Sequence, residues 1–198
     1  MLASPTEAAT DRRPAIVICA YDRDEHGWDP VEDLSGNLWS PQGARTVAVE
    51  AADPEALAAT LASQVRDLGA RAILLVGRTR RATDFRVQMR AENRKSDGAR
   101  LDHTGPGVAR STAPVAEMVQ ALKDAGLTAA ASSEAEDDAG SYLLYRVLTG
   151  LPDGPESPAI GLLRAPAGAT DIAMQKGVKA AAMAMTRHLG ALPRPRVS

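Results

Sequence analysis

Apolar positions in this chain of 198 residues gather into short, nearly unbroken runs. They are AIVICA at 15–20, TVAVE at 46–50, RAILLV at 71–76, TAAA at 128–131 and IGLL at 160–163. Short runs without polar alternation predict strands buried on both faces. Between them the spacing turns helical. In 53-DPEALAATLASQVRDLGA-70, Asp53 suits a cap and Pro54 a first turn. Leu57, Leu61, Val65 and Leu68 then share a face, and Gly69 ends the helix. The segment 112-TAPVAEMVQALKDAG-126 repeats the design, with Val115, Met118, Val119 and Leu122 inward. A last helix is expected from about Asp171 to Leu189. In 137-DDAGSYLLYRV-147 an acidic run and Ala-Gly read as a loop that opens another helix.

Apolar strands alternating with helices predict a mainly parallel sheet covered on both faces. Ligands in such folds collect beyond the carboxyl ends of the strands. That marks the loops after Cys19, after Gly77, around Ser132–Gly140 and after Leu163. Residues 21–45 and 77–111 read as long irregular stretches, which in compact domains are often functional. Residues 1–13 read as a flexible N-terminal segment, 14–192 as a single domain and 193–198 as a frayed tail.

Charge changes this picture little. With 25 acidic and 23 basic side chains, the net charge of −2 gives no reason to expect nucleic acid or an anionic membrane as partner. The single cysteine, Cys19, excludes an internal disulfide and fits a reducing compartment. No segment has the apolar length of a signal peptide or a membrane span. A soluble, cytoplasmic protein is expected.

Two places carry candidate chemistry. Cys19 closes the first strand, and His26 follows in an Asp-rich loop, so a nucleophile–base pair is conceivable. The competing reading makes Cys19 a small core residue. The segment 77-GRTRRATDFRVQMRAENRKSDGAR-100 is the most charged part of the chain. Its Arg78, Arg80 and Arg81 follow a predicted strand and could grip a carboxylate or phosphate in the crevice. The alternative is a solvated loop balanced by Glu134, Glu136, Asp137 and Asp138. No histidine or cysteine spacing fits a metal site, and no cofactor is expected.

The order of motifs resembles the pyroglutamyl peptidase I family (pyrrolidone-carboxylate peptidases), cytoplasmic cysteine peptidases that remove N-terminal pyroglutamate. The family's strand, Gly-containing loop and Glu-Arg-x-Ala-x-Asn stretch are matched by 77-GRTRRATDFRVQMRAEN-93. Its Asp-Asp-Ala-Arg loop is matched by 96-SDGARLDHTG-105, and its Ser-Thr-x-Pro-Val helix start by 111-STAPV-115. Its Ala-Gly-x-Tyr-x-Cys-Asn segment corresponds to 139-AGSYLLY-145, and its Gly-Phe-Ile-His-x-Pro to 161-GLLRAP-166. The resemblance implies a phosphorylase/hydrolase-like three-layer α/β/α sandwich with a mainly parallel, mixed central sheet. It also implies a homo-oligomer.

The same register implies the loss of the peptidase chemistry. The nucleophilic cysteine falls on Leu144, which has no heteroatom. The histidine base falls on Arg164, which stays protonated and cannot accept a thiol proton. The glutamate falls on Gln88, which cannot carry the charge that orients an imidazolium. The family's first-strand turn, whose aromatic rings pack on the pyrrolidone, is here 19-CAYDRDEHG-27, and Tyr21 keeps one ring. The expected protein is a peptidase-like pseudoenzyme that binds a small anionic ligand, a peptide or a protein partner, with Tyr21, Arg78, Arg80, Arg81 and Arg164 as ligand candidates. Two alternatives stand beside it. One is a hydrolase rebuilt on Cys19 and His26. The other is a phosphate- or nucleoside-binding relative, since purine nucleoside phosphorylases share the general sheet architecture.

Overall fold

The computed structural model describes residues 13–21, 39–49, 53–95, 97–151, 154 and 157–191. Its strands are β1 (Ala15–Ala20), β2 (Arg45–Ala48), β3 (Ala70–Thr79), β4 (Phe85–Gln88), β5 (Arg90–Glu92), β6 (Val108–Arg110), β7 (Ala129–Ser132) and β8 (Ala159–Pro166). The helices are α1 (Pro54–Leu68), α2 (Val115–Asp124), α3 (Ala139–Gly150) and α4 (Asp171–Ala191). Most of the expected N-terminal segment, the tail and His26 lie outside the described residues.

Six strands form one sheet in the order β2-β1-β3-β8-β4-β7. β2, β1, β3 and β8 run parallel. β4 is antiparallel to β8, and β7 is parallel to β4. The sheet is therefore mixed but mostly parallel, with helices on both faces. α2 packs with α4 over one face and α1 with α3 over the other. A separate antiparallel ribbon, β5–β6, lies against α3.

Strand alternation sorts the core into two layers. Ile16, Ile18, Leu74, Val76, Leu163 and Ala165 join Met118, Leu122, Val178 and Met185 of α2 and α4. Val17, Cys19, Ile73, Leu75, Ile160 and Leu162 join Leu57, Leu61, Leu143 and Leu144 of α1 and α3. Small aliphatic side chains suit this arrangement, because they let two helical layers close on a nearly flat apolar surface.

The helix ends follow local chemistry. Asp53 Oδ1 accepts from the amides of Glu55 and Ala56 at 3.1 Å each, and Pro54 needs no partner for an N–H it lacks. Gly69 ends α1 at φ +61°, a conformation a Cβ would strain. At α3, Asp138 accepts from the Ser141 amide at 2.8 Å.

Residues 77–111 are not the irregular stretch the sequence predicts. They hold the end of β3 and all of β4, β5 and β6. Phe85 and Val87 face the α2–α4 layer, which alternation makes a real but very short period-2 signal. The charged neighbours hide it.

Candidate functional site

β8 carries Arg164 on the α3 side of the sheet, between the inward Leu163 and Ala165 of the other side. The guanidinium is wholly enclosed, at 0% exposure. A buried cation is tolerated only when paired and hydrogen-bonded, and this one is. Arg164 Nη1 donates to Gln88 Oε1 at 2.8 Å. Nη2 donates to Asp138 Oδ1 at 2.7 Å and to Ser141 Oγ at 2.9 Å. Nε donates to Asp138 Oδ2 at 3.3 Å and lies 3.6 Å from Glu136 Oε1.

Those partners are themselves held. Gln88 Nε2 donates to the carbonyls of Arg90 and Glu134 at 3.0 and 2.8 Å, which turns its oxygen toward Arg164. The Thr79 hydroxyl reaches both oxygens of Glu136, at 2.9 and 2.8 Å, and accepts from the Arg81 amide at 3.0 Å. Burial by itself pushes the Arg164 pKa down, but Tyr21, Asp138 and Glu136 outweigh it and raise the pKa above its ordinary value. The group stays a cation at any accessible pH and cannot serve as a base.

Tyr21 completes the site. Its amide donates to the Val76 carbonyl at 3.1 Å, which extends the β1–β3 ladder and sets the ring beside Gly77. The phenol oxygen is buried against Gly140 and Gly77, the latter paired in register with Arg164. Leu144 sits one turn into α3 at 0% exposure, in the same apolar layer as Cys19, also at 0%.

The structure thus brings Gln88 and Arg164 into direct contact, sets Tyr21 against Gly77, the β3 partner of Arg164, and encloses Leu144 in the apolar layer under α1 and α3. It does not gather the arginines after Gly77. Arg78 points to the opposite face, where Nη1 donates to the carbonyls of Ala167 and Ala169 at 3.2 and 2.8 Å and Nη2 lies 3.9 Å from Asp171. It braces the turn from β8 into α4. Arg80 and Arg81 are exposed, and Arg81 Nη1 reaches the Ala135 carbonyl at 3.4 Å. Cys19 is wholly buried, at 0% exposure, in the α1–α3 core layer, which denies its thiol the access a nucleophile needs.

Sequence reasoning missed Thr79, Glu136, Asp138 and Ser141 as partners of this site. A signal existed: an arginine inside the run IGLLRAP demands a buried counter-charge, and the acidic run before α3 offers it. Among the described residues, no three His, Cys, Asp or Glu side chains are grouped to hold a metal ion. Nor is any helix among them long and apolar enough to cross a membrane.

No protein-family model and no curated protein matches the sequence. Solved structures do match. The pyrrolidone carboxyl peptidase from Thermus thermophilus superposes with a TM-score of 0.65 at 18% identity, over 85% of this chain and 98% of that one. Pyroglutamyl peptidase I from Bacillus amyloliquefaciens gives 0.69 at 16% identity, over 88% and 98%. The pyrrolidone carboxyl peptidase from Thermococcus litoralis gives 0.66 at 14%, over 93% and 100%. The chain has the fold of pyroglutamyl peptidase I.

Proposed function

We propose that this protein keeps the pyroglutamyl peptidase I fold without its hydrolytic chemistry and acts by binding. The observation that carries this reading is the enclosed Arg164, whose donors are taken up by Gln88, Asp138 and Ser141. At the positions that match the family's acid, nucleophile and base stand a neutral amide, an alkyl side chain and a permanent cation. No group there can attack a carbonyl or accept a proton.

The partner is read from the remaining charge. Asp138 and Glu136 already neutralise Arg164, so an external anion at that guanidinium would have to displace a carboxylate of the chain itself. The exposed Arg80 and Arg81 are better placed to meet an acidic group on a protein partner or peptide. Assembly with further copies and a cytoplasmic location, both implied by the family resemblance, belong to the same proposal.

The test is an assay with pyroglutamyl amides that release a chromophore. No release is expected. Turnover that disappeared in Arg164→Ala or Cys19→Ser would overturn the reading. Calorimetric titration with phosphate and nucleosides is expected to give no heat, and a saturable signal would favour the phosphorylase-like alternative.

A further inference from the structure

Gly77 of β3 and Gly140 of α3 face each other across the ring of Tyr21. A Cβ on Gly77 would fall 2.6 Å from Tyr21 Cε2, and closer still to Cζ and Oη. A Cβ on Gly140 would fall 2.5 Å from Cζ, 3.0 Å from Cε1 and closer still to Oη. Side-chain carbons do not pack at such separations, so the ring lies in a slot that exists only because both walls lack a side chain. The slot is about one aromatic ring wide. Its inner end, where the phenol oxygen is buried, abuts Gly77, which is paired in register with Arg164, and Gly140, whose neighbour Ser141 accepts from Arg164 Nη2. Tyr21 as a whole is only half-buried.

A narrow cleft walled by two glycine backbones, with a buried cation near its closed end, has the chemistry to hold a planar ring that carries an oxygen. We propose that the Gly77–Gly140 slot is a binding site for a phenol-like ring, and that Tyr21 is its resident occupant, an autoinhibitory side chain that such a ligand must displace. The ligand's oxygen takes the place of the Tyr21 hydroxyl and leaves the bonds from Arg164 to Asp138, Ser141 and Gln88 intact. This deepens the reading of the site as a binding site. It is tested by occupancy rather than turnover, so it can fail while the peptidase assay stays silent, and the reverse.

The experiment uses 4-methylphenol, the tyrosine side chain as a free molecule, with toluene as the ring that lacks the oxygen. In calorimetry Tyr21→Ala is expected to bind 4-methylphenol saturably, with a rise in Tm. The wild type and the Tyr21→Phe variant, whose slot is still filled, bind it at least about tenfold more weakly. Toluene binds Tyr21→Ala at least about tenfold more weakly than 4-methylphenol does. No heat with folded Tyr21→Ala, equal binding by the wild type, or equal binding of toluene would overturn the proposal. If Tyr21→Ala does not fold, NMR of the native chain decides. The Tyr21 ring signals are expected to shift saturably as 4-methylphenol is added to excess. Ring signals that 4-methylphenol leaves unchanged overturn the proposal.

Discussion

Two helices on the same face of the sheet begin with an aspartate, and the two aspartates do different amounts of work. Asp53 caps α1 at an exposed end, accepting two amides of its own first turn. Asp138 caps α3 through the Ser141 amide and also takes two bonds from a fully buried arginine. The first organises a helix locally. The second ties a helix start to the middle of the sheet, across 26 positions of sequence from Arg164. The same residue type at the same helical position therefore stabilises at two different levels, and the difference is set by what lies beneath it.

Removing the buried cation should break this comparison most severely. Arg164→Ala leaves Asp138 and Glu136 facing each other without a counter-charge, and loss of one partner from a buried pair costs about 3–5 kcal/mol. The lower half of that range is expected, because the Asp138 side chain keeps 27% exposure and water can take over part of the charge. Urea unfolding followed by circular dichroism measures it. The sharper form replaces the whole cluster: Arg164→Met with Glu136→Gln and Asp138→Asn should recover most of the loss, since neutral packing often equals a buried ion network and Asn still caps. A triple variant no more stable than Arg164→Ala would mean that the arginine acts by its shape rather than its charge.

The next effect belongs to the capping residue itself. Asp138→Ala loses a cap, about 1 kcal/mol, together with hydrogen bonds to a charged group, about 1.5–3 kcal/mol. About 2–4 kcal/mol is expected in the same unfolding experiment. Asp138→Asn should fall between Asp138→Ala and the wild type, because it keeps the cap and gives up the charge. At the other helix, Asp53→Ala should cost only about 1 kcal/mol. Equal losses at Asp53 and Asp138 would remove the distinction drawn between them.

How far the sequence foretold these features depends on whether the responsible signal is local. The caps and stop of α1, the buried runs of β1, β3 and β8, and the opening of α3 at Asp138 all follow from adjacent residues, whereas β7 forms as a strand but at the sheet's edge, with only Ala129 buried. The strands β4, β5 and β6 were not legible, because Phe85 and Val87 alternate with Arg86 and Gln88 for only two repeats inside an arginine-rich stretch. At the site, motif register placed Gln88, Leu144 and Arg164 together as a set. It did not reveal that Arg78, next along β3 from Gly77, faces the other side of the sheet, although strict alternation would have separated it from Thr79. The Tyr21 slot was beyond reach for another reason. Its walls, Gly77 and Gly140, are far apart in sequence, and nothing local says which ring will lie between them.

A third aspartate gives the comparison its smallest and most local term. Asp102 starts no helix. Its Oδ1 accepts from both the amide and the hydroxyl of Thr104 at 2.9 Å, while its own amide donates to Asn93 Oδ1 at 2.8 Å. The Thr104 amide first, and then the Thr104 hydroxyl, hold its carboxyl below the ordinary value, with burial pulling weakly the other way. Because the folded-state pKa is depressed, the carboxylate contributes stability that is present above its unfolded pKa and is lost as pH falls through the folded value. In an NMR acid titration the Thr104 amide should move with a midpoint below the usual aspartate range, and Asp102→Asn should abolish that movement. Hydrogen exchange at the Thr104 amide should then quicken in acid before α1 and α3 respond, since both Asp102–Thr104 bonds lie within the turn itself. Simultaneous loosening of the loop and of α3 would show that Asp102 is coupled to the buried network rather than confined to its own turn.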